Sequence, residues 1–194
     1  MLVFALVAVL AGQPTSSPLP STPNHPAKMM SHPVVTIKTS MGAIDVELFP
    51  DKAPKTVENF LAYVKAAHYD NSIFHRVIAG FMIHGGGYDK QMNKKTTSAP
   101  VVNEASNGLK NDTGTIAMAR TADPHSATAQ FYLNVNDNQS LNRSEGNPGY
   151  CVFGKVSAGI DVVHKIEAAQ TSTQNGMRDV PVTLVVIESV RLKS

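Results

Sequence analysis

The chain has 194 residues, 42% of them hydrophobic, and its 17 basic and 15 acidic residues leave a formal net charge of +2. That length supports one well-formed core and is short for two. No basic run is present, so the composition implies neither a nucleic acid nor a charged membrane surface as partner.

Residues 1–11, MLVFALVAVLA, are continuously apolar, too short to span a bilayer and as long as the core of a signal peptide. Val9 and Ala11 are small enough for a cleavage site, although no Lys or Arg precedes the run. Residues 12–33 are dominated by Pro, Ser and Thr and read as a tether, with too little apolar surface to offset the entropy of ordering them. The two segments point to export to the periplasm. Translation from Met29 or Met30 would instead give a cytoplasmic protein.

A folded domain is expected over residues 34–194. VVTIKTSMGAIDVELF alternates β-branched residues around a Met-Gly turn and predicts a hairpin. In APKTVENFLAYVKAAH, Val57, Phe60, Leu61 and Val64 share one helical face, opened by Pro54 in its first turn. SIFHRVI, GTIAMAR, AQFYLNV and YCVFGKV read as short strands, SAGIDVVHKIEAAQ as a second helix and PVTLVVIESVRL as a last strand. Many short strands with two helices indicate a mainly β sandwich or barrel closed off by helices. The single cysteine, Cys151, lies in an apolar run and reads as a small core hydrophobe.

The stretch IFHRVIAGFMIHGGG carries the chemistry. Arg76 stands alone among apolar residues, and a guanidinium never gives up its charge, so a buried position would imply a task for it. Gly85, Gly86 and Gly87 lack the sequence context of a phosphate loop and read as turn residues that let the backbone pass close to a groove. His75 reads as structural.

FHRVIAGFMIHGGG, NEASNGLKNDTGTIAMAR, SATAQFYLNV and GYCVFGKV, in that order, resemble the signature blocks of the cyclophilins, the peptidyl-prolyl cis-trans isomerases, in their bacterial form. The resemblance runs from about Val34 to the C-terminus. It implies a closed eight-stranded antiparallel β-barrel capped by two α-helices, a groove on the outer face, no metal and no cofactor. It also implies proline-containing peptides and folding proteins as partners, and a monomer without a membrane span.

By the same resemblance Arg76 is the catalytic residue. Phe81, Met82, Tyr132 and Leu141 form the proline pocket, Gln130 holds the substrate backbone, and Ala119 and Arg120 lie on the strand that pairs with the peptide. Four positions depart from the family pattern. His84 replaces a glutamine that orients the arginine, Ala79 a proline and Tyr150 a histidine, while Tyr132 adds a hydroxyl to a site that is commonly Phe. Ser140 stands where cyclosporin-sensitive members carry tryptophan, and the chain has no Trp, so weak cyclosporin binding is expected. If the His84 ring takes over the orienting role it must be neutral, because a protonated ring has no acceptor lone pair.

Two other readings compete: a proline-peptide holder that has lost turnover, and a metal-dependent hydrolase built on some of the seven histidines, whose spacing forms no dense ligand motif.

Overall fold

A computed structural model describes residues 32–193. The apolar segment 1–11 and all but the last two residues of the segment 12–33 lie outside the described residues. Those two are in contact with the domain: His32 hydrogen-bonds Glu47 and Asp51, and the Pro33 carbonyl accepts from the Leu48 amide.

The predicted hairpin is β1 (Val34–Thr39) with β2 (Gly42–Leu48), paired antiparallel. Helix α1 (Pro54–Lys65) follows and buries Val57, Phe60, Tyr63 and Val64, while Leu61 is only partly covered. Its capping position is Ala53, whose methyl group cannot accept a hydrogen bond. Glu104, distant in sequence, accepts from the amides of Lys55 and Thr56 instead, so a carboxylate still meets the positive end of the helix.

After α1 come β3 (Ser72–Ile78), β4 (Met82–Asp89), β5 (Thr115–Met118), β6 (Phe131–Asn134) and β7 (Val152–Ala158). Helix α2 (Ile160–Glu167), a short hairpin of β8 (Thr171–Gln174) and β9 (Met177–Pro181), and β10 (Val185–Leu192) complete the chain. Eight strands close into an antiparallel barrel in the order β1-β10-β3-β4-β6-β5-β7-β2, and β8 and β9 form a separate two-stranded sheet.

The barrel interior is filled by side chains. Phe60 of α1 lies against Tyr69, Phe131 and Phe153 at ring-centroid distances of 5.2, 5.8 and 5.2 Å, within the range where aromatic pairs attract. The Tyr69 hydroxyl donates to the Ala129 carbonyl at 2.8 Å, and burial holds its pKa well above the usual value. Val163 and Ile166 of α2 join the same core. Cys151 is a core residue as expected, and burial pushes its thiol up to about 11, so it carries no thiolate near neutrality.

The three glycines are not in a turn. They lie inside β4, buried on a strand that the apolar periodicity does not announce. The expectation of close approach is met: a Cβ on Gly85 would stand 2.9 Å from Phe74, one on Gly86 2.9 Å from Tyr69, and one on Gly87 2.5 Å from Gln130. Gly86 also has φ +83°, which suits glycine, and the β3–β4 register shifts nearby.

Candidate active site

Side-chain alternation divides four strands between the barrel core and its outer face. Ile83, Leu133, Ile116 and Phe153 point in, whereas Met82, Tyr132, Ala117 and Val152 form a second apolar cluster outside. Cross-strand partners continue one row: Arg76 opposite His84, His84 opposite Tyr132, Tyr132 opposite Ala117, Ala117 opposite Val152. Phe81, Leu141 and Tyr150 pack onto this cluster from loops. The row thus begins at a permanent charge and continues over an apolar floor.

Nine of the ten sequence-predicted site residues line one cavity of about 140 Å³: Arg76, Phe81, Met82, His84, Ala119, Arg120, Tyr132, Leu141 and Tyr150. Gln130 faces an adjoining depression of about 590 Å³, which it shares with His75, Arg76, His84, Tyr88 and residues 176–179. Gln130 can lie over the sheet there because Gly87 has no side chain.

Arg76 is not buried. Its side chain is 46% exposed at the rim, and its Nε donates to Asp179 Oδ2 at 3.4 Å. It sits at an outward position of β3, so its charge remains hydrated, and the argument from a buried guanidinium gives way to one from an arginine at the edge of an apolar floor. Arg120 is more fully engaged: its guanidinium donates to the carbonyls of Gly149 and Thr121 and lies 4.3 Å from the centre of the Tyr150 ring. It therefore braces the groove wall. Ala119 and Arg120 lie just past the end of β5, with the Ala119 amide bonded to the Gln130 carbonyl.

The extra hydroxyl of Tyr132 has a partner, Asn111 Oδ1 at 2.8 Å. Asn111 also accepts from Asn134, and its own amide donates to the carbonyls of Leu141 and Tyr150. Asn138 donates to Asn134 and to the Phe81 carbonyl, both at 2.7 Å. A buried asparagine network thus anchors the backbone of three pocket residues. Sequence reading missed it, since nothing in the local pattern marks these asparagines as internal.

Among the described residues His84 makes no hydrogen bond to Arg76, whose side-chain bond goes to Asp179. The His84 ring lies against that of His75, tilted by 57° with centroids 4.4 Å apart, and among the described residues neither His84 Nε2 nor His75 Nδ1 has a hydrogen-bond partner. Burial first, then His75 and the Arg76 charge, lower the pKa of His84 to about 3; burial and Arg76 lower that of His75 to about 4. With their pKa values lowered in this way, both rings are held in the uncharged form near neutral pH. Among the described residues no group of three or more His, Cys, Asp or Glu side chains could hold a metal ion, and no helix is long and apolar enough to cross a membrane.

The missed part of the site is the β8–β9 hairpin, which brings Met177, Arg178 and Asp179 beside Arg76. A signal for it exists: Asn175-Gly176, with φ of +48° and +77°, is the two-residue turn that favours a hairpin.

The histidine pair links pH to stability. Below the ordinary histidine value of about 6.5 the unfolded chain takes up protons that the folded rings refuse. Stability fully present above that value is therefore lost as pH falls toward 4. Thermal unfolding at pH 7 and pH 4.5 is expected to show this loss in the wild type and a smaller one in His84→Gln; equal losses in both would contradict the coupling.

Residues 34–192 match the family model described as cyclophilin type peptidyl-prolyl cis-trans isomerase/CLD. A peptidyl-prolyl cis-trans isomerase of Streptomyces antibioticus is 56% identical over 161 residues, which cover 81% of this chain and 97% of that protein. Peptidyl-prolyl cis-trans isomerase B of Escherichia coli is 54% identical over 160 residues, covering 81% and 98%. A crystal structure of a Cryptosporidium parvum cyclophilin type isomerase, obtained in the presence of the dipeptide Ala-Pro, superposes with a TM-score of 0.69 at 27% identity and covers 83% of this chain and 99% of that one. The chain belongs to the cyclophilin-type peptidyl-prolyl cis-trans isomerases, in their bacterial form, and catalyses rotation about X-Pro peptide bonds.

Proposed function

We propose that rotation takes place in the cavity floored by Met82 and Tyr132, with Arg76 donating a hydrogen bond to the prolyl nitrogen. The barrier is about 18–20 kcal/mol because the amide loses resonance as it twists. In the perpendicular state the nitrogen is pyramidal with a free lone pair, and the charge separation of the planar amide has fallen. A donor aimed at that nitrogen and apolar walls around the ring both stabilise the twisted form more than the planar ones.

The cross-strand row carries this reading, because it sets a guanidinium next to an apolar cavity lined by Phe81, Met82, Tyr132 and Leu141. Gln130, Ala119 and Arg120 flank the course of the substrate backbone, and His84 and Tyr150 complete the walls. The Ala-Pro dipeptide present with the Cryptosporidium parvum protein fits a site of this kind. The alternative of a binding module without turnover shares every wall and differs only in what Arg76 does.

We infer three further properties. The protein assists folding as a chaperone-like isomerase outside the cytoplasm, in the periplasm; the signal-like segment 1–11 and the Pro/Ser/Thr-rich stretch after it support this. It acts as a monomer: the exposed large apolar side chains among the described residues, Val102, Ile160, Val182 and Leu192, come from four separate segments. It binds cyclosporin weakly, since the exposed Ser140 beside Leu141 offers no indole N–H.

Replacing Arg76 with Ala is expected to remove about 1.5–3 kcal/mol of transition-state stabilisation, a fall in kcat/KM of about 10- to 150-fold, with binding of a Pro-peptide less affected. A near wild-type kcat/KM would sink the assignment. Titration with cyclosporin should give shallow inhibition; a stoichiometric curve would show that the loop around Ser140 recognises the drug without Trp. Mass spectrometry of native protein after cell fractionation should find an N-terminus soon after Ala11 in the periplasm. Cytosolic protein starting at Met29 or Met30 would overturn that location.

A further inference from the structure

We propose that Asp179 is a positioning residue for Arg76, an inference that rests on Arg76 being the donor. A long exposed side chain samples many rotamers, and a guanidinium free to swing would seldom point at the prolyl nitrogen. Among the described residues, the one side-chain hydrogen bond of Arg76 is to Asp179, across 103 positions of sequence. It uses Nε and leaves both terminal nitrogens of the planar fork available to a substrate. Asp179 is also the one acidic group lining either cavity, where it meets Arg76.

Asp179 has φ +61°, a left-handed conformation inside β9 that costs energy for any residue with a Cβ and that Asp tolerates better than most. The β8–β9 register shifts between Ser172 and Gln174, so Arg178 and Asp179 together oppose Thr173, a bulge that accommodates this conformation. His84 and His75 lie against each other, and among the described residues neither is hydrogen-bonded to Arg76, which leaves Asp179 as its side-chain partner. The Nε to Oδ2 distance of 3.4 Å is long, as catalytic hydrogen bonds without substrate often are, and would shorten when a peptide seals the groove.

The left-handed backbone chooses the variants. Asp179→Gly removes the carboxylate and relieves the backbone, so the hairpin keeps its fold, whereas Asp179→Asn keeps shape and an acceptor oxygen but no charge. With a proline-peptide substrate of neutral flanking residues, Asp179→Gly is expected to lower kcat/KM about fivefold to thirtyfold, chiefly through kcat, at an unchanged melting temperature. Asp179→Asn should fall between that variant and wild type. In an Arg76→Ala background Asp179→Gly should change the rate by less than about twofold, because its effect runs through the missing guanidinium.

A wild-type rate for Asp179→Gly beside an impaired Arg76→Ala would overturn the positioning role and leave Arg76 as donor. An equal loss from Asp179→Gly with and without Arg76 would also overturn it. If Arg76→Ala itself turns over at the wild-type rate, the donor assignment fails and this inference fails with it.

Discussion

A closed barrel whose interior is already filled leaves no internal space for a substrate, and the rest of the structure follows from that constraint. Phe60, Tyr69, Phe131 and Phe153 occupy the centre with ring contacts near 5–6 Å. Close packing of this kind resists insertion. Recognition must therefore take place on the outside of the sheet, where alternation delivers one outward side chain from each strand in register. Arg76, His84, Tyr132, Ala117 and Val152 are that row.

An outer face needs its own means of becoming a pocket, since a sheet surface is open to water. Loops supply the walls here, and buried asparagines hold the loops. Asn111 and Asn138 are bonded to the carbonyls of Leu141, Tyr150 and Phe81, so three apolar side chains from distant segments meet over Met82 and Tyr132. Burying such amides is costly unless they are paired, and here they are paired with one another and with backbone. Arg120 adds to this support by lying on Tyr150 and bonding the Gly149 carbonyl. The catalysis suits this arrangement, because twisting an amide requires an oriented donor and apolar surroundings and no bond to the enzyme.

Electrostatics around Arg76 are one-sided. Two histidines lie beside Arg76, and burial together with its charge keeps them neutral, so they fill space without repelling it. The negative charge that faces it comes from the small β8–β9 sheet outside the barrel. Arg76 and its acidic partner are thus carried by different sheets.

Periodicity and composition were enough to reveal the β1–β2 hairpin, both helices, most barrel strands and the mainly β class, because each element shows its buried face within its own residues. The signature blocks around Arg76, Gln130 and Cys151 were enough for the family and for nine residues that do share a cavity. Three things were decided only in three dimensions. The Gly85–Gly87 run became strand rather than turn because Phe74, Tyr69 and Gln130 occupy the space that side chains would need. Arg76 proved exposed because the strand register, which no local pattern reports, places it on the outer face opposite His84. His84 turned toward His75, while Asp179 and the buried asparagines reached the site from segments far away in sequence. Hydrogen bonds between residues tens of positions apart leave no periodic trace along a chain, and they exist only once the barrel has closed and set its loops side by side.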